Sequence, residues 1–295
     1  MKSQFAAIRE FIRGAALYSD ALCVISKVKS LIEKSFAHAS VVGIDRGDWA
    51  SLVNVEWDAT AIAVARVPST QVVIIGQDGD VAVYGGADQI RMEKIDPDPV
   101  TIRNACAVEG LVYACGMKRQ AYARTEDGRW LDISAPYPAP KEVAGFEAIQ
   151  GFSHQEIYAA GWGGEIWEYD GARWLDRGEL TSLILTCVCC TPNGDVFVAG
   201  QEGLLFRGRH DVWQQIEWDD GFDVDIWDVH WFDDHLYVAT ISALFRLEEN
   251  ALVRVDFGEA NVRTCYNLTS KDGVLWSIGR DDIASFDGSR WQRYD

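Results

Sequence analysis

The chain has 295 residues, 48% apolar and 12% aromatic against 24% charged, which suits a large buried core and excludes disorder over most of its length. Its 45 acidic and 27 basic side chains give a formal net charge of −18, which argues against nucleic acid and anionic membranes, since both are bound through cationic side chains. No apolar run approaches the roughly 20 residues that span a bilayer, no signal-peptide core is evident, and seven cysteines without a framework spacing read as reduced thiols of a cytoplasmic protein.

In chain order, residues 21–25 read as a strand, residues 27–36 as a short amphipathic helix, and residues 41–44 and 49–57 as a further pair of strands. A short apolar run ending in glycine then recurs, closing at Gly76, Gly116, Gly161 and Gly200, with degraded copies closing at Thr240 and Gly279. The closing positions are 40, 45, 39, 40 and 39 residues apart. A tryptophan stands about a dozen residues beyond most of them, at Trp130, Trp174, Trp213 and Trp291. Asp127-Gly128, Asp170-Gly171 and Asp287-Gly288 precede three of these tryptophans, and Asp-Gly supplies the positive φ angles of a tight hairpin. Most units also carry Gly-x-x-Gly after the apolar run, as in Gly76 to Gly79, Gly161 to Gly164 and Gly200 to Gly203.

Four short strands in about 40 residues make one blade of a β-propeller. The signature, an apolar run with Gly-x-x-Gly followed by Asp-Gly-x-x-Trp, resembles bacterial β-propeller repeats of the WD-like, Kelch-like and YVTN-like superfamily over residues 59–295. The Gly-His and Trp-Asp pairs of true WD repeats are missing. The expected fold is all-β, a single closed propeller of seven four-stranded blades, with an irregular, partly helical first blade in residues 1–58. Six blades with an N-terminal helical appendage is the alternative.

Little in the sequence points to chemistry. Cys187-Val188-Cys189-Cys190 lacks the second ligand pair that zinc requires and reads as inner-strand packing, so neither metal nor cofactor is expected. No Gly-x-Ser-x-Gly elbow exists, and His154, His210 and His235 fall in turns, leaving His230 to face the central channel. Gly161-Trp162-Gly163-Gly164 joins two strands, so no helix N-terminus follows it to bind phosphate. No catalytic residue is assigned, and the chain is expected not to be an enzyme; a propeller hydrolase or lyase acting on carbohydrate, or an assembly scaffold, are the alternatives.

Charge is the remaining signal. Residues 1–60 are neutral, whereas residues 191–260 hold 15 acidic and 4 basic side chains. On the propeller face shared by the blade-to-blade connections and the turns between middle strands, the expected partner-binding residues are Trp162, Glu202, Trp218, Asp219, Asp220, Phe222, Asp223, Asp225, Asp281 and Asp282. Aromatic side chains among carboxylates favour protein contact over a merely solvated face. A small propeller with no other domain looks like the immunity proteins that neutralise antibacterial toxins. That resemblance implies a monomer whose acidic face binds a basic protein, such as a nuclease toxin.

Overall fold

A computed structural model describes residues 4–86, 89–95, 99–137, 144–218 and 221–294. Among them run seven four-stranded antiparallel sheets, each a meander contiguous in sequence. Blade 1 comprises Arg9–Tyr18, Ala21–Val28, Ala39–Asp45 and Asp48–Val55; blade 2, Ala59–Ala65, Gln71–Gly76, Asp80–Tyr84 and Ile90–Lys94. Blade 3 comprises Ile102–Val108, Leu111–Gly116, Ala121–Arg124 and Trp130–Asp132; blade 4, Phe146–Ser153, Glu156–Gly161, Glu165–Tyr169 and Trp174–Glu179. Blade 5 comprises Leu185–Cys190, Val196–Gly200, Leu205–Arg209 and Val212–Gln215; blade 6, Asp228–Phe232, His235–Ala239, Leu244–Glu248 and Ala251–Arg254. Blade 7 is Asn267–Lys271, Val274–Ile278, Ile283–Phe286 and Trp291–Arg293. The seven-blade propeller expected from the repeat is thus the fold.

The first strands of successive blades pack side by side around the axis. Second strands are sandwiched between neighbouring blades, which is why they read as unbroken apolar runs: Val196–Gly200 is buried at every residue. The glycines of the repeat occupy equivalent places, ending the second strands of blades 2 to 5, with Gly279 one residue past that of blade 7. The periodic tryptophans stand on outer strands and brace the preceding blade. Trp130 Nε1 donates to Glu93 Oε2 at 3.2 Å and Trp174 Nε1 to the Ile133 carbonyl at 2.5 Å.

The core is a ring of seven apolar clusters, each filled by two adjacent blades. The N-terminal segment is more regular than its sequence suggests. Its inner strand Arg9–Tyr18 carries no apolar-run signature, because Arg9, Glu10 and Arg13 interrupt the run, as suits a strand with one side on a polar channel. The expected helix shrinks to one turn, Lys29–Ile32. The last strand, Trp291–Arg293, stays in its own blade, and the ring closes by contact: the Trp49 indole donates to the Tyr294 carbonyl at 3.2 Å.

Candidate partner-binding face

The turn after each second strand and the connection leaving each outer strand open on one face. At blade 5 these two segments are stitched together. Glu202, held at φ +53°, donates its backbone N–H to Asp225 Oδ1 at 2.9 Å. The Trp218 indole donates to the Gly203 carbonyl at 2.7 Å. Gly203 lies at φ +70°, and a Cβ there would come within 2.5 Å of the Phe222 carbonyl, so only glycine allows this approach.

Trp218 and Phe222 are partly buried, packed edge to face with centroids 6.0 Å apart, and Phe222 packs likewise on Phe245 at 5.3 Å. Both belong to the cluster around Leu205 and Ile226, so their main work is to fix the connection. What they leave outward is Glu202, Glu217, Asp223 and the apolar Val224, all exposed. Asp219 and Asp220 lie outside the described residues, as do Asp96, Asp98 and Glu142 of the other acidic connections.

Trp162, on the neighbouring blade, is half-buried and donates Nε1 to Glu147 Oε1 at 2.6 Å beside the channel mouth. Asp281 lies on blade 7, 3.4 Å from Lys29 Nζ. Asp282 is buried: one carboxylate oxygen accepts from the Thr264 N–H at 2.9 Å and hydroxyl at 2.6 Å, and the other meets Arg293 at 2.5 Å. It is an internal staple with no carboxylate to offer a partner. The structure therefore groups Glu202, Trp218, Phe222, Asp223 and Asp225 at blades 5 and 6, and places Asp281 and Asp282 apart.

On the opposite face, ligand atoms of Glu156, Glu168 and His210 lie within 4.8 Å of one another. Guanidinium groups already serve these carboxylates. Arg209 binds Glu156 through two hydrogen bonds of 2.7 and 2.8 Å, and Arg177 meets Glu168 at 2.9 Å. Arg209 holds the Glu156 carboxyl below its ordinary range against the opposing effect of burial. The three ligand residues come from two blades and are at least a dozen residues apart in sequence, so no local motif announces them. All seven cysteines are free, and burial pushes the Cys106 and Cys189 thiols up to about 12, which leaves them protonated at neutral pH.

The central channel is also part of the polar architecture. It holds cavities of about 320 Å³ toward the acidic face and 430 Å³ toward the other, with Arg13 lining both. His230 lines the larger cavity, as its strand position predicted. Burial pulls it down to about 4, and its Nε2 lies 2.8 Å from Ser270 Oγ. Asp228, on the same strand, is pushed up to about 6 by burial, against hydrogen bonds from the Leu268 and Val229 N–H groups and the Asn267 amide. Among the described residues no helix is long and apolar enough to cross a membrane.

No family profile matches the chain. Among solved structures it is similar to the WD40 β-propeller domain of Doa1, with 8% identity, a TM-score of 0.72, and 93% of this chain and 91% of that one covered. It is similar to YCF48 bound to D1 peptide as well, with 12% identity, a TM-score of 0.71, and 96% and 93% covered. At such identities these likenesses bear on the fold alone. The chain is also 40% identical, over 307 aligned residues covering all of both chains, to the immune protein Tsi7 of Pseudomonas aeruginosa. With that identity along its whole length, the chain belongs to the family of the immune protein Tsi7.

Proposed function

We propose that the chain is a cytoplasmic immunity protein that acts as a monomer, binding a basic antibacterial toxin and blocking it without catalysis. Family membership carries this reading. The composition and the blade 5 loops supply its physical content: a net charge of −18, with Glu217 and Asp223 exposed on a connection that two aromatic side chains hold in place and Glu202 exposed on the turn bonded to it. A nuclease toxin is the partner this charge suits, because an enzyme acting on a polyanion carries a cationic active site that an acidic face can occupy. The absence of catalysis accords with how the clustered ionisable groups are used, since Glu156, Glu168 and Asp282 are spent on arginine partners within the chain.

The test is co-expression with candidate antibacterial toxins, those of the neighbouring genes first, followed by stopped-flow association of the purified pair. The chain should restore growth, and the association rate should fall steeply with salt, since exposed charges act mainly on encounter. Replacing Asp219, Asp220, Asp223 and Asp225 together with Asn should slow association and flatten the salt dependence. Trp162→Ala should instead speed dissociation, by about 2 kcal/mol if that ring is a hot spot. Unchanged rates in the Asn variant at every ionic strength would move the contact surface to another face, and failure to restore growth would remove the immunity reading.

A further inference from the structure

We propose that the larger cavity of the central channel is a binding site for a small carboxylate, held by the Arg13 guanidinium. The site stands on the channel alone and does not depend on which protein the chain neutralises. Arg13 projects from the inner strand of blade 1 and lines both cavities, so it marks the waist of the channel. Among the described residues it makes no ion pair and no hydrogen bond, although a guanidinium presents five donors in a rigid fork.

The charge of the channel is opposite to that of the chain. In the 430 Å³ cavity Arg13, Arg66 and Lys271 face one carboxylate, Asp228, inside a protein whose net charge is −18. Asp228 does not neutralise Arg13 by direct contact. Its Oδ2 accepts from the Asn267 amide and the Leu268 N–H, both at 2.8 Å, and its Oδ1 accepts from the Val229 N–H at 2.9 Å. At the acidic-face end the other cations are matched, Lys27 with Asp58 at 2.6 Å and Arg103 with Glu147 at 3.4 Å. In the larger cavity Lys271 is matched as well, by Asp272 at 3.6 Å, and Arg66 donates to the Leu17 carbonyl at 2.6 Å, so the unspent guanidinium is that of Arg13.

Neutral donors complete the receptor. The Asn104 side chain lines the same cavity and has no partner among the described residues. Gln150 uses its amide oxygen to accept the Cys190 N–H, which leaves its NH₂ group for the cavity. A guanidinium fork with two amide donors recognises a carboxylate through charge-assisted, paired hydrogen bonds. The volume falls within the roughly 300–1,000 Å³ of small-molecule sites. The carboxylate is either a free organic acid or a side chain or terminus that a bound protein inserts into the channel.

The probe is succinate, with neutral succinamide as control, titrated calorimetrically into the purified full chain. Succinate should bind and raise the melting temperature, and succinamide should do neither. Arg13→Met should weaken succinate by about tenfold or more, the scale of a lost charge-assisted bond. Arg13→Lys, which keeps the charge and loses the fork, should weaken it less. Asn104→Asp adds a carboxylate to the same cavity and should also weaken binding by about tenfold or more, which keeps the test decisive if Arg13→Met fails to fold. No succinate binding into the high millimolar range, or binding unchanged in either folded variant, overturns the proposal. The sources separate in a second arm with the protein partner. For a free acid, Arg13→Met leaves partner affinity unchanged; for an inserted carboxylate, it weakens the partner and succinate competes with it.

Discussion

Gly161 ends the second strand of blade 4 in extended backbone, a conformation open to any residue. What demands glycine is space: a Cβ there would lie 1.9 Å from the Gly145 carbonyl oxygen. The same approach recurs at Gly116, Gly200 and Gly279, whose Cβ would meet the carbonyl oxygens of Thr101, Ile184 and Thr264 at 2.4, 2.1 and 2.1 Å. The periodic glycine is thus the point where each second strand passes the chain entering the inner strand. Blade 6 has Thr240 there, and its hydroxyl ties the turn to the Ala243 backbone at 3.1 Å instead. Gly163, two residues past Gly161, is the converse case, at φ +67° with nothing within 4 Å of a Cβ. Gly161→Ala should therefore lower stability in urea unfolding by about 3 kcal/mol, the upper end of ordinary overpacking. Gly163→Asn should stay within about 1 kcal/mol, because asparagine tolerates the left-handed region. Equal losses at both sites would mean that backbone conformation, and not the carbonyl contact, selects the glycine.

Two titrating groups on one element, the inner strand of blade 6, are shifted in opposite directions. Burial pushes Asp228 from 3.8 to about 6, opposed by Arg13 from blade 1 and by hydrogen bonds from blade 7 and its own strand. Burial pulls His230 from 6.5 to about 4. In the window between about 4 and 6, folded Asp228 holds a proton that the unfolded chain releases, so it adds stability as pH falls. Over nearly the same window His230 stays neutral in the fold while the unfolded chain takes up a proton, so it removes stability as pH falls. Each effect is on the order of 3 kcal/mol, and the two offset one another. Asp228→Asn should consequently lose stability as pH drops from 6 to 4, and His230→Gln should gain it, relative to the parent in pH-resolved urea titrations. Parallel pH profiles for all three proteins would show that the two groups do not carry these shifts. The channel position of His230 was legible because strand alternation gives it. The role of Asp228 was not, since its partner Asn267 lies 39 residues away on the next blade and only the ring brings them together. Trp218 and Phe222 read from the sequence as contact residues for a partner; their packing beneath the connection was not legible, because it depends on Leu205, Ile226 and Phe245 from two blades.

For the whole molecule the repeat was legible because every blade solves the same packing problem against its neighbour, and a shared solution leaves a shared spacing. Blade 1 departs from that pattern in sequence, with a helical turn after its second strand, yet it fills the same place. Its seam with blade 7 has no exchanged strand. Gly14 N–H donates to Asn267 Oδ1 at 2.8 Å, Phe11 N–H to the Arg280 carbonyl at 2.9 Å, and Trp276 and Ile278 pack against Leu22, Val24 and Val42. Such a seam differs from the other six only in lacking a covalent connection, so stability should follow nearest-neighbour interfaces and not where the chain is cut. The start of Arg9–Tyr18 and the end of Trp291–Arg293 lie on the face where the other blades are joined, so a short Gly/Ser linker can complete the seventh connection. A circular permutant beginning at Ala59, with residue 294 linked to residue 6, should fold cooperatively and melt within about 5 °C of the parent, a shift worth only a few kcal/mol for a chain of this size. Deleting residues 9–55 should by contrast expose the clusters on both sides of blade 1 and give an aggregating product. A permutant that melts far lower, or without cooperativity, would show that the present connection from Val55 to Ala59 does more than tether blade 1, and that the order of the blades along the chain is itself a source of stability.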